Sequence, residues 1–185
     1  MILTDREIRV SLEAGLISIE PRPDERAFSA TSVDLTLDAT LSEFKRPETG
    51  PGTVLDPGRP GYSFAQAIAA ITRRVAIDPA TGFDLVPGVL VLGWTRENVD
   101  LNANARLAAR IEGKSSLARL GLAVHVTAPT IHAGSKGQIQ LEIINHGPLP
   151  IRLRPGMPVC QLIFEQTLGV PDRAYGGQFI RQAAP

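Results

Sequence analysis

Between Val33 and Phe164 the apolar residues fall into short runs, each closed by turn-forming residues, and this restricts the chain to a fold of many short strands. Val33, Leu35 and Leu37 alternate with Asp34, Thr36 and Asp38, the period of a half-buried strand. Similar runs occupy residues 89–92, 105–111, 122–126, 138–144, 151–153 and 159–164. They predict a mainly β sandwich or barrel. Two helices flank this pattern. Thr4-Asp5-Arg6-Glu7 spells a capping box, with Thr4 accepting from the Glu7 amide and the Glu7 side chain reaching back. Leu3 and Ile8 are spaced as a hydrophobic staple, Leu12 continues the stripe, and Gly15 supplies a left-handed stop. Phe64, Ile68 and Ile71 recur at helical spacing among alanines, predicting a short amphipathic helix that ends before Asp78-Pro79. Residues 45–61 hold Pro47, Gly50, Pro51, Gly52, Pro57, Gly58, Pro60 and Gly61, which predicts a long surface loop. No repeat or compositional break divides the 185 residues, so one domain is expected over 1–185.

Composition narrows the chemistry. Cys160 is the single cysteine, which excludes an internal disulfide and the paired cysteines of a common zinc site. Nineteen basic residues balance nineteen acidic ones, so the overall field that drives non-specific nucleic-acid binding is missing and any anion site must be local. No apolar run approaches the length that spans a bilayer. The first residues, Met1-Ile2-Leu3-Thr4-Asp5-Arg6-Glu7, place charges where an export signal would be apolar, and a cytoplasmic location is expected.

Two segments can carry a reaction. Residues 110–121 run Arg110-Ile111-Glu112-Gly113-Lys114-Ser115-Ser116-Leu117-Ala118-Arg119-Leu120-Gly121: a strand, a glycine turn, and a short helix opened by hydroxyls and stopped by Gly121. Free amides at such a turn, with Lys114 and Arg119 beside them, can cradle an anion; the alternative, which this spelling alone favours, is plain N-capping serines and surface cations. Further on, Gln138-Ile139-Gln140-Leu141-Glu142-Ile143 alternates, placing Gln138, Gln140 and Glu142 on one face and the apolar residues on the other. Glu142 is then either a group held among amides or a solvated strand glutamate.

Order and spacing go further than either segment. The run from Gly113 to Gly121, then His125-Val126-Thr127-Ala128, then Gly137 to Glu142, then Leu153-x-Pro155-Gly156-Met157, resembles the dCTP deaminase family. The likeness extends from Thr4-Asp5-Arg6-Glu7-Ile8, through Ser32-Val33-Asp34-Leu35, to Tyr175-Gly176-Gly177-Gln178-Phe179. As whole stretches, only the Pro/Gly loop and the alanine-rich stretch after it depart from the pattern. The resemblance implies the distorted jelly-roll or β-barrel fold of the trimeric dUTPases, with a short N-terminal helix and few others. It implies hydrolysis of dCTP to dUTP and ammonia without zinc, with Glu142 as general base and acid and Ser115 and Arg119 holding the attacking water and polarised ring. Lys114, Ser115 and Ser116 would meet the triphosphate, and Arg119 would also contact the nucleotide. The backbone of Val126, Thr127 and Ala128 would read the pyrimidine, with Gln140, Leu141 and His132 also at the nucleotide. Tyr175, Gln178 and Gln182 would belong to a tail, 170–185, that closes over the site. Also implied are Mg2+ carried by the triphosphate, dTTP as an inhibitor, and a homotrimer with sites between subunits.

The sequence departs from the family at His132, where an aspartate is usual, and at Gln178, where many relatives carry a lysine. In the dUTPase relatives the matching aspartate activates the water that attacks phosphorus, so its loss ranks deamination to dUTP above a bifunctional reaction ending at dUMP. A homologue that binds nucleotide without catalysis is the reading from another class. Thr130 stands where some relatives have arginine or phenylalanine, and no physical account of that choice emerges.

Overall fold

The protein is described from a computed structural model that covers residues 1–45, 54–173, 175–177 and 179–184. In chain order the elements are α1 (Asp5–Glu13), β1 (Ile17–Glu20), β2 (Phe28–Ser29), β3 (Ser32–Thr36), β4 (Thr40–Phe44), α2 (Phe64–Ile71), β5 (Thr72–Ala76), β6 (Phe83–Leu85) and β7 (Leu90–Leu101). There follow β8 (Leu107–Gly113), α3 (Ser115–Ala118), β9 (Leu122–Ala123), β10 (Thr130–Ile131), β11 (Lys136–Asn145), β12 (Ile151–Leu153) and β13 (Pro158–Gln166). Five strands run in the order β5-β4-β7-β11-β9, with β1 added on β7; a second sheet runs β10-β8-β13-β3-β2; β12 pairs with β6. The pairings are antiparallel. The architecture is mainly β, as expected, and the sheets keep free edges rather than closing into a barrel. Val33, Leu35, Ile111, Leu162 and Phe164 of one sheet meet Val91, Val99, Leu141 and Ile143 of the other in a single buried cluster.

Local chemistry explains where the pattern was readable and where it was not. In α1, Ile8 is fully buried and Leu3 packs on the core, as the staple requires. Gly15 takes the left-handed conformation at φ +67°. The capping box forms differently: the Thr4 hydroxyl donates to the Glu7 carboxylate, and no side-chain cap reaches the helix amides. That bond holds the Glu7 carboxyl below its ordinary pKa. The expected helix at 64–71 is α2, but it hands over directly to β5 ahead of Asp78-Pro79. Of the expected 45–61 loop, residues 54–61 form no helix or strand, and residues 46–53 lie outside the described residues. The strand expected at 122–126 stops at Ala123.

The strand expected at 89–92 continues to Leu101, because polar residues in its middle form a bulge. The β11 register passes from Gln138↔Asn98 to Gln140↔Trp94, so β7 carries extra residues there. The bulge is satisfied internally. Thr95 Oγ1 donates to the Glu97 carbonyl at 2.8 Å and accepts from the Ile139 amide at 2.9 Å. The buried Glu97 carboxylate accepts from the Thr36 amide at 2.9 Å and hydroxyl at 2.6 Å, tying the two sheets together. Trp94, the single tryptophan, is buried beside it, with its indole N–H unpartnered among the described residues.

Candidate active site

Strand β11 sorts its side chains as the alternation predicts: Ile139, Leu141 and Ile143 are buried, while Gln138, Gln140 and Glu142 are half-buried on the other face. That polar face borders a cavity of about 510 Å³. The segment after β9 adds His125, Ala128 and His132 to its wall, and the chain beyond β13 adds Tyr175, Phe179 and Gln182. Glu142 is the only carboxylate among the described residues lining it. Its Oε2 accepts from the Val126 amide at 3.3 Å, so a main-chain donor orients the group within the cavity. His125 carries a buried Nδ1 without a partner among the described residues. His132 is exposed, its ring stacked on Tyr175 with centroids 5.2 Å apart and planes at 21°.

The second segment lies elsewhere. Strand β8 ends at Gly113, and Lys114 is the N-cap of α3, so Ser115 and Ser116 are its first helical residues and do not cap it. Gly121 stops the helix at φ +100°, where a Cβ would stand 2.2 Å from the Gly147 amide nitrogen. Lys114 is paired to Asp34, with the two side chains 20% and 14% exposed, and the other Asp34 oxygen is buried without a partner among the described residues. The lysine charge is thus already met from β3. Ser115, Ser116 and Arg119 are exposed and do not line the Glu142 cavity; Arg119 has no ion pair among the described residues. Val126 and Thr127 are exposed too, and only the Val126 amide reaches Glu142. Glu142, Gln140, Leu141, Ala128, His132, Tyr175 and Gln182 are therefore together, whereas the serine turn is apart; Gln178 lies outside the described residues.

The tail is held along one edge of the cavity. The Tyr175 amide donates to the Ala133 carbonyl at 3.1 Å, the Arg181 amide to Lys136 at 2.7 Å, and the Gln138 amide to Gln182 at 3.0 Å. Gly137 lies at φ +119°, and a Cβ there would come 2.4 Å from the Gln182 carbonyl oxygen. Phe179 meets Phe64 of α2 edge to face, with centroids 5.4 Å apart and planes at 89°. Sequence reasoning quoted His125 and Gln138 without giving them a role and read Phe64 as a helix-face residue. Helical spacing alone points such a ring to the core, and no sequence signal linked it to a tail 115 residues later.

Fold and cavity together define an antiparallel β protein whose pocket holds, among the described residues, one carboxylate oriented by the main chain. Comparison with known proteins gives that class a family: the dCTP deaminase-like family model matches residues 2–167. The dCTP deaminase of Marinomonas sp. (strain MWYL1) is 42% identical over 95% of this chain and 88% of its own length. The Rhodospirillum rubrum dCTP deaminase is 41% identical over 95% of this chain and 87% of its own. A Beutenbergia cavernae protein named dCTP deaminase, dUMP-forming, is 39% identical over 95% and 85%. The crystal structure of 2'-deoxycytidine 5'-triphosphate deaminase from Agrobacterium tumefaciens matches in fold, with a TM-score of 0.67 and 24% identity over 89% of this chain and 48% of that one. The chain belongs to the dCTP deaminase-like family.

Proposed function

We propose that this protein hydrolyses dCTP to dUTP and ammonia, with Glu142 carrying the protons. The observation that supports this most is the position of Glu142 as the sole carboxylate among the described lining residues, oriented by the Val126 amide. A carboxylate beside C4 takes one proton from the attacking water and passes it to N3, then takes the second from the new C4 hydroxyl and passes it to the amino group, which leaves as ammonia while C4=O forms. A positioned acid–base group of this kind contributes about 10²–10⁴-fold. Ser115 and Arg119 hold the water and the polarised ring, Gln140, Leu141 and the main chain of residues 126–128 hold the pyrimidine, and His132 meets the sugar. Lys114, Ser115 and Ser116 engage the triphosphate, and Tyr175, Gln178 and Gln182 close over it. Because the serine turn is exposed and apart from Glu142, the site is completed by a second copy of the chain in a homotrimer.

Among the described residues no three His, Cys, Asp or Glu side chains converge to hold a metal ion. In this reading Mg2+ enters with the triphosphate, held mainly by phosphate oxygens and water. Described helices include none long and apolar enough to cross a membrane. The reading places the enzyme in the cytoplasm, as one domain with a tail from 170 to 185. Purified protein with dCTP and Mg2+ is expected to release ammonia, and Glu142→Gln to remove about 10²–10⁴-fold of the rate while keeping nucleotide affinity. Unchanged release by the variant overturns the assignment.

The dUMP-forming name of one relative motivates the second reading, a bifunctional enzyme. Against it, the cavity offers no second carboxylate among the described residues to direct water at phosphorus, and His132 is stacked on Tyr175. Pyrophosphate among the products would select the bifunctional reading. Tight nucleotide binding with neither ammonia nor pyrophosphate would select a non-catalytic binding protein.

A further inference from the structure

We infer that Phe64, at the start of the alanine-rich helix, is a positioning residue: through Phe179 its ring pins the tail across the cavity and so sets nucleotide affinity more than turnover. Its affinity arm rests on the function proposed above; its structural arm does not.

A helix placed only to cover the core would bury its apolar face, yet α2 has no buried residue, and Phe64, Ala67, Ile68 and Ile71 are all half-exposed. What α2 supplies instead is one ring in the cavity wall, at its first helical position, where the Ser63 hydroxyl accepts from the Gln66 amide at 3.4 Å and fixes the entry. Phe179 is the tail's answering ring, in the same wall, and the planes meet at 89°, the arrangement that aromatic quadrupoles favour. Besides the stack of Tyr175 on His132, the other described tail anchors, at Ala133, Lys136 and Gln138, are bonds of backbone amides, for which water competes when the tail lifts. The Phe64–Phe179 contact is the apolar clamp between them. It joins the tail that carries Tyr175 and Gln182 to the stretch of sequence that departs most from the family pattern.

Intact unliganded protein is treated with trypsin, and cleavage after Arg173 and Arg181 in the exposed tail is timed by mass spectrometry; KM and kcat for dCTP are measured in parallel. Phe64→Ala is expected to speed tail cleavage and raise KM by about two- to tenfold, the span of an aromatic pair's coupling, with kcat and the melting temperature nearly unchanged. Phe64→Tyr, which keeps a ring, is expected to restore both. Phe179→Ala should match Phe64→Ala, and the double variant should be no worse than either single one. Unchanged cleavage in both single variants, or additive effects in the double one, overturns the inference. If the wild type releases no ammonia the proposed reaction fails, while the cleavage rates still decide whether the two rings hold the tail.

Discussion

At Gly137 the backbone occupies a left-handed conformation while the Gln182 carbonyl closes to where a side chain would begin, so only glycine lets the tail lie against β11. Gly137→Ala is expected to release the Gln138–Gln182 contact, read as faster hydrogen exchange at the Gln138 amide, with the two sheets still protected. Cys160 illustrates a residue whose role is burial. Desolvation first, then the Glu97 and Asp34 carboxylates, raise its pKa far above that of a free thiol, with Lys114 opposing. An acid whose pKa is higher folded than unfolded adds stability that is complete below the unfolded value, about 8.5, and is lost as pH climbs past it, because only the unfolded chain then releases the proton. The urea midpoint is expected to fall between pH 8 and pH 10, and Cys160→Ala to flatten that slope. Glu142 was legible at this scale because strand alternation fixes its face. The engagement of Lys114 by Asp34 was not, since it joins residues 80 apart on strands whose neighbours no local pattern specifies.

Elements were readable wherever one period persisted. The runs that became β11, β12 and β13 matched closely, and α2 was found from Phe64, Ile68 and Ile71 alone. Pattern failed where tertiary satisfaction replaced it: β7 runs on through its bulge because Thr95 and Glu97 are buried and paired there, polar residues that sequence alone reads as the end of a strand. Short pieces such as β2, β6 and β10 are specified by their partners and have too few residues to show a period. Helix α3 was anticipated with its glycine stop, but the serines sit inside its first turn and leave their hydroxyls exposed. Elements that carry the proposed chemistry are thus recognisable singly, while their meeting is a property of packing.

For the whole molecule the separation of the serine turn from Glu142 makes a firm demand. If each site takes Glu142 from one subunit and Ser115 and Arg119 from a neighbour, Glu142→Gln and Arg119→Ala are each inactive alone. Co-refolded, they should recover a fraction of the ammonia release, because some mixed trimers hold a site with both residues intact. Light scattering should report three times the monomer mass. Absence of recovery with both variants assembled would place the groups in one subunit and contradict this arrangement. Trp94, meanwhile, is buried where β7 pairs with Gln140 of the cavity. With one indole in the chain, all tryptophan emission originates at that junction, so the protein comes with its own unlabelled reporter: in the proposed reading a nucleotide settling against Gln140 would do so one strand away from the sole source of that light.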